Sequence, residues 1–176
     1  MEKSNHSNVL IVGGGCAGIA VASRINSLKS DLTISIVEPS EKSLYQAAWT
    51  LVGAGAYNVN DTIKPMSSVM PSYVKWIKEY AEEFLPDSNS LKTNGGTYTY
   101  DYLVVCPGLK LNYDGVAGLK ENLGKNNVCT NYSAEMAIYT WDCLKQLDGG
   151  TLLFTEPPMP IKCAGAPQKI AYLAAD

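Results

Sequence analysis

Three glycines spaced G-x-G-x-x-G, at Gly13, Gly15 and Gly18, are the residues in this sequence best placed to do chemistry. Such glycines permit a tight turn, close approach of the backbone to a pyrophosphate, and close packing of a helix on a strand. The phosphates would then sit at a helix N-terminus, where free N–H groups and the helix dipole favour negative charge. An acidic residue to bind ribose hydroxyls is expected about 20 positions later. Glu38 falls there (38 − 18 = 20), directly after the aliphatic run that ends at Val37. Glu rather than Arg at this place favours a free 2′-hydroxyl over a 2′-phosphate, so the motif predicts a dinucleotide site.

The second chemical group is sulfur. Five cysteines occupy positions 16, 106, 129, 143 and 163. None forms a C-x-x-C pair or a zinc-ligand spacing, and the odd count fits poorly with a fully paired disulfide framework. Cys163 lies in Pro160-Ile-Lys-Cys-Ala-Gly-Ala-Pro-Gln-Lys169, just before a predicted helix with Pro167 in its first turn. A helix N-terminus and the adjacent Lys162 both favour thiolate over thiol, the condition for redox and nucleophilic reactivity. An inert buried cysteine is the competing reading on those grounds alone. Cys16 belongs to the phosphate loop, Cys106 to a buried strand and Cys143 to a helix, and all three read as structural. The single histidine, His6, lies in a polar leader, so neither histidine catalysis nor a metal cluster is expected.

The elements that must position these groups follow from periodicity. Val9 to Val12 is a continuous aliphatic run of the kind buried on both faces of a sheet. A helix follows to about Lys29, with Val21, Ile25 and Leu28 on one face, and Leu32 to Val37 reads as a second strand. These pieces make one right-handed βαβ unit. Residues 39–71 read as a long functional loop with short helical pieces. Val74 to Leu85 reads as one strand with a bulge, Asn94-Gly95-Gly96 as a hairpin turn, and Tyr102 to Cys106 as a further aliphatic strand. Ser133 is placed to cap a helix to about Leu147. Thr151 to Thr155 reads as a strand, and a last helix starts near Ala166. The fold class is therefore α/β: a Rossmann-like domain over residues 1–148, with a parallel sheet and an inserted antiparallel hairpin, and the beginning of a second Rossmann-like domain over residues 149–176. A strand and part of a helix cannot bury their apolar faces alone, so the pattern predicts the first part of a longer chain.

Composition narrows the classes. Of 176 residues, 46% are hydrophobic and 18% charged, an ordinary globular mix, and the net charge of −3 gives no basic surplus for nucleic acid. No apolar run approaches the roughly 20 residues of a membrane-spanning helix. The opening MEKSNHSN has no apolar signal core. A second, nicotinamide-binding βαβ unit would need another glycine fingerprint after Thr155. Glu156-Pro-Pro-Met-Pro160 stands there instead, and prolines cannot supply N–H groups to a pyrophosphate.

Several segments together resemble a known family. Tyr102-Leu-Val-Val-Cys-Pro-Gly108 resembles the second FAD motif of flavoproteins with two dinucleotide domains, with Cys106 and Pro107 departing from the usual Ala-Thr-Gly ending. Val-Glu38-Pro-Ser, Tyr45-Gln46, Trp49-Thr-Leu-Val-Gly-Ala-Gly55, Trp76-Ile77-Lys78, Asn131-Tyr132-Ser133 and Lys162-Cys-Ala-Gly-Ala-Pro-Gln-Lys169 resemble the mitochondrial-type branch of the sulfide:quinone oxidoreductases. The resemblance implies FAD contacts at Gly13, Gly15, Cys16, Ala17, Gly18, Glu38, Gln46, Ala81 and Gly108. It implies that Cys163 is one of two redox cysteines beside the flavin, its partner lying further along a longer chain. Cys129 occupies a place where bacterial relatives often carry a further cysteine, so it is a second catalytic candidate beside its reading as a packed, silent thiol. The implied partners are sulfide, a sulfur acceptor, a quinone, and a membrane surface met by the C-terminal part. The implied location is peripheral, at the mitochondrial inner membrane in a eukaryote or the inner membrane of a bacterium. An NADH-dependent quinone or disulfide reductase of the same fold, and a non-catalytic FAD-binding module, are the competing functions.

Overall fold

The structure is a computed structural model and describes residues 5–176. In chain order its elements are β1 (His6–Val12), α1 (Cys16–Leu28), β2 (Ile34–Val37), β3 (Lys42–Leu44), α2 (Trp49–Gly53), β4 (Ile63–Pro65), α3 (Met66–Val69), β5 (Val74–Ile77), β6 (Ala81–Leu85), β7 (Ser90–Thr93), β8 (Thr97–Val105), α4 (Leu119–Asn122), α5 (Ala134–Leu144) and α6 (Ala166–Ala175). Packing divides the chain into two units. One comprises the residues through Ser43 with Lys64–Gly108, the other Leu44–Ile63 with Leu109–Asp176.

The first unit is built on a six-stranded sheet of order β5-β2-β1-β8-β7-β6. β1 runs parallel to both β2 and β8, and β2 parallel to β5, whereas β7 is antiparallel to β6 and β8. The strands alternate their faces with period 2. Val9, Ile11, Ile34 and Ile36 form one cluster with Ile19, Val21, Ala22 and Ile25 of α1. Leu10, Val12, Val37 and Ile77 form a second cluster with Leu91 and Tyr100 of the hairpin strands. The parallel strands are thus apolar on both faces because each face is covered.

β5 and β6 are the two edges of this sheet, yet only residues 78–80 separate them. A flat sheet would put edge strands about 24 Å apart at ~4.8 Å per neighbour, beyond the roughly 14 Å that so short a link can span. The sheet therefore curls, folding the hairpin strands over the cluster around Leu10. This is why Val74 to Leu85, read as one bulged strand, is two strands. The break is fixed by polar contacts, since Tyr80 N donates to Asn94 Oδ1 at 2.8 Å and Tyr98 OH to Glu79 at 3.0 Å.

Other expectations shift in detail. β1 begins at His6 rather than Val9, so the histidine lies in a strand, 2.9 Å from Thr99 Oγ1. The segment around Tyr98 and the run from Tyr102 join into the nine-residue β8, antiparallel to β7 at its start and parallel to β1 along most of its length. Val21 and Ile25 pack on the sheet as expected, together with Gly18, Ile19 and Ala22, whereas Leu28 is 70% exposed. A glycine and an alanine set that face because the helix lies too close to the sheet for larger side chains.

In the second unit, Trp49 and Val52 of α2 pack on Ala137 of α5. The Trp49 indole donates to Thr62 Oγ1 at 3.2 Å. A Cβ at Gly53 would overlap Asn131 Oδ1 and approach Ile170 of α6 to 3.3 Å, so α2 crosses its neighbours at backbone distance. Ser133 takes the N-cap position of α5 but its side chain makes no capping bond. Thr151 to Thr155 is not a strand, for no described strand stands beside it to share a hydrogen-bond ladder. α6 forms as expected.

Leu10 is fully buried. Leu10→Ala is expected to cost about 2–5 kcal/mol in a urea-unfolding measurement, while Leu28→Ala stays within about 0.5 kcal/mol of the parent. A comparable loss at both positions would refute the packing described for α1.

Candidate functional site

The glycine turn between β1 and α1 is assembled by backbone approaches that only glycine allows. Gly13 has φ +102°, and a Cβ there would overlap the Cys106 carbonyl oxygen. The turn is anchored on both sides: Gly13 N donates to Val37 O at 2.9 Å and Cys106 N to Val12 O at 2.7 Å. A Cβ at Gly18 would overlap the Gly13 carbonyl oxygen, which holds the first turn of α1 against the loop. Nothing stands within 4 Å of a Cβ built at Gly15. The three motif glycines therefore divide the work as their spacing predicts, two for close packing and one facing open space. Cys16 and Ala17 are exposed beside it, and no described side chain caps the helix. The first N–H groups of a helix have no intrahelical acceptor, so the turn leaves donors available to an anion.

Glu38 ends β2 against this turn. Its Oε2 accepts from Gly14 N at 2.8 Å and its Oε1 from Ser40 N at 2.7 Å. Gly14 lies outside the spaced motif, yet a Cβ there would stand 2.8 Å from the Glu38 side chain. Trp76 adds a polar contact: its indole donates to the Glu38 carbonyl at 2.7 Å. Glu38 N in turn donates to Ile77 O at 2.9 Å. A carboxylate oxygen can accept more than one hydrogen bond, so Glu38 keeps acceptor capacity for hydroxyls. The residues fit a dinucleotide: a diphosphate at an uncapped helix N-terminus and a diol at a fixed carboxylate. Gly108, with φ +78°, is exposed after β8, and no atom would crowd a Cβ there within 4 Å. Ala81 opens β6 and packs on the cluster around Leu10.

The remaining candidates lie in the second unit. Gln46 is exposed at the start of a 3-10 turn over Gln46–Ala48. Cys163 is exposed and stands three residues before α6. Its φ is +60°, a conformation a β-carbon disfavours, and such strain persists only where the surroundings enforce it. Two bonds do so here: the Cys163 carbonyl accepts from Ala166 N at 3.1 Å and from Tyr132 OH at 3.3 Å. Burial, then the electrostatic effects of Cys163 and Glu156, push the Tyr132 hydroxyl up. It therefore keeps the proton it donates. Desolvation lowers the Lys162 ammonium, and the neighbouring Cys163 opposes that shift. Sequence reasoning singled out Cys163 but had no signal for its backbone strain or for Tyr132 as its anchor.

Cys129 is half-buried. Its sulfur lies 3.6 Å from Asn127 O and 3.7 Å from the sulfur of Cys143. Burial first, and then Cys143, push the Cys129 thiol up to about 11, against a smaller opposing effect of Thr140. A group this protonated is a weak nucleophile near neutral pH. Among the described residues no cluster of three or more His, Cys, Asp or Glu could hold a metal ion.

The chain is 42% identical over 171 residues to the mitochondrial sulfide:quinone oxidoreductase of Mus musculus, covering 97% of this chain and 38% of that protein. It is 45% identical over 178 residues to the protein of the same name from Dictyostelium discoideum, covering 99% of this chain and 39% of that protein. The chain thus spans about two fifths of the length of these relatives. Among solved structures, the sulfide:quinone oxidoreductase of Aquifex aeolicus superposes with a TM-score of 0.65 at 30% identity, over 80% of this chain and 32% of that one. The family model described as pyridine nucleotide-disulphide oxidoreductase matches residues 7–136, a stretch that contains the glycine turn, Glu38 and all of the curled sheet except His6. The chain belongs to the pyridine nucleotide-disulphide oxidoreductase family.

Proposed function

We propose that this chain provides the FAD-binding part of a flavoprotein that oxidises sulfide to sulfane sulfur and passes the electrons to a quinone. The observation that carries the reading is the similarity, over nearly the whole chain, to proteins named sulfide:quinone oxidoreductase. The Gly14–Glu38 contact beside an open helix N-terminus supports the cofactor half of it.

The N–H groups of Cys16, Ala17 and Gly18 would bind the diphosphate, with Gly15 leaving room for its approach. Glu38 would accept hydrogen bonds from the ribose hydroxyls, its orientation already set by Gly14 and Ser40. Gln46, Ala81 and Gly108 would complete the contacts. Bound FAD would supply two-electron chemistry and hand the electrons on to a quinone.

Cys163 would carry the sulfur chemistry, disulfide-bonded in the resting enzyme to a second cysteine from the part of the protein beyond this chain. Hydrosulfide attacks one sulfur of that bridge, the old S–S bond breaks, and a new one forms to the incoming sulfur. One cysteine is left as a persulfide. The other leaves as a thiolate holding the electron pair of the broken bond. Tyr132 and the start of α6 keep Cys163 in its left-handed conformation, which fixes where its Cβ points. Cys129 would serve at most in later sulfur handling, because it is protonated near neutral pH. The sulfur would leave to an acceptor molecule. Residues 149–176 would open the second Rossmann-like domain.

No helix among the described residues is long and apolar enough to cross a membrane. Access to a quinone would come from peripheral docking through the rest of the protein. The surface would be the mitochondrial inner membrane in a eukaryote, as the names of the relatives suggest, or a bacterial inner membrane.

Glu38→Ala is expected to weaken FAD binding roughly 10- to 100-fold, the worth of a charge-assisted hydrogen bond or two, read by flavin absorbance after gel filtration. Unchanged flavin retention would remove Glu38 from the site. In the protein extended to the length of its relatives, Cys163→Ala is expected to abolish sulfide-dependent quinone reduction while leaving the bound flavin in place. Sulfide oxidation surviving that substitution would overturn the proposed function.

A further inference from the structure

We propose that Cys129 and Cys143 form a dithiol site that a low-molecular-weight disulfide, such as glutathione disulfide, converts into an intramolecular disulfide bond. The two sulfurs lie 3.7 Å apart across 14 positions of sequence. A disulfide needs them at about 2.05 Å, so closure requires only a small movement. That movement has somewhere to come from. Cys143 is fixed near the C-terminal end of α5, whereas Cys129 lies in the irregular segment between α4 and α5.

The surroundings fit two thiols held together rather than two that happen to pass. Asn127 O stands 3.6 Å from the Cys129 sulfur, and Thr140, one turn before Cys143, hydrogen-bonds Cys129 from the helix side. Tyr139 hydrogen-bonds Cys143, and its hydroxyl accepts from Asn127 N at 3.2 Å. Both cysteines are partly exposed, so a small oxidant can reach them.

The exchange balances in two steps. One cysteine thiolate attacks glutathione disulfide, breaking its S–S bond and releasing one glutathione thiolate. The second cysteine, also deprotonated, attacks the resulting mixed disulfide and releases the other. The protein loses two electrons and two protons, and two glutathione molecules are formed. A thiol held protonated attacks slowly, and as a poor leaving group it also makes the finished bridge hard to reopen. Closure is therefore slow where Cys129 is the attacking thiol.

The bridge would tie the segment before α5 to the end of that helix. Three residues beyond Cys129 is Tyr132, whose hydroxyl holds the Cys163 carbonyl. Closure thus restrains the support of Cys163. That this support matters for turnover rests on the proposed function; the bridge itself does not.

The test is made on the folded chain incubated with glutathione disulfide, then denatured, alkylated and mapped by peptide mass. The expected result is loss of two alkylation sites, with the peptides of Cys129 and Cys143 joined and lighter by two hydrogens. In Cys129→Ser, Cys143 should instead retain glutathione as a mixed disulfide. Cys163→Ala should leave the yield of the joined peptides unchanged, which separates this site from the one proposed for sulfide. Recovery of Cys129 and Cys143 both alkylated, each carrying its own glutathione, or joined to other cysteines would overturn the proposal and leave the flavin reading standing.

Discussion

The contact between Glu38 and Gly14 is the point on which the proposed nucleotide site depends. It joins the end of β2 to the start of α1 through a carboxylate bound to a main-chain N–H, with no room for a side chain at position 14. The same Glu38 is tied through its own backbone to Ile77 and through its carbonyl to the Trp76 indole. One residue thus fixes the relative positions of β2, β5 and the glycine turn. An acid placed this way is pre-oriented for a ligand, because its side-chain freedom has already been removed during folding.

Much of this was legible in the sequence because it depends on local rules. The G-x-G-x-x-G spacing, the aliphatic Val9 to Val12 run and the acid at position 38 each obey a short-range constraint, and together they state a βαβ unit with a glycine turn. Asn94-Gly95-Gly96 announced its hairpin for the same reason. What failed to show were features set by distant packing. The split of Val74 to Leu85 into opposite sheet edges follows from the curl of the sheet, which no local pattern encodes. Leu28 had the right helical phase but lies beyond the edge of what α1 covers.

The sulfur groups divide along the same line. Cys163 was visible because prolines, glycine and lysine crowd its neighbourhood in sequence. The Tyr132 anchor is 31 positions away and the Cys129–Cys143 approach spans 14, so neither left a local signature. The two sites also contrast physically. Cys163 is exposed on a strained backbone, whereas Cys129 is desolvated beside another thiol that suppresses its ionisation. An exposed, strained cysteine suits exchange with a mobile substrate, and two sulfurs 3.7 Å apart suit a bond to each other.

β8 serves two masters along one length. Its early residues pair antiparallel with β7, and from His6–Thr99 to Val12–Val105 it pairs parallel with β1. Adding or deleting one residue within it would invert every later side chain between the two faces of the sheet. The shift would also carry the Cys106 carbonyl away from Gly13, which lies directly against it. Length variation among descendants of this gene should therefore collect in the turns on either side of β8 and spare the strand, a pattern of tolerated insertions set by geometry rather than by any side chain's chemistry.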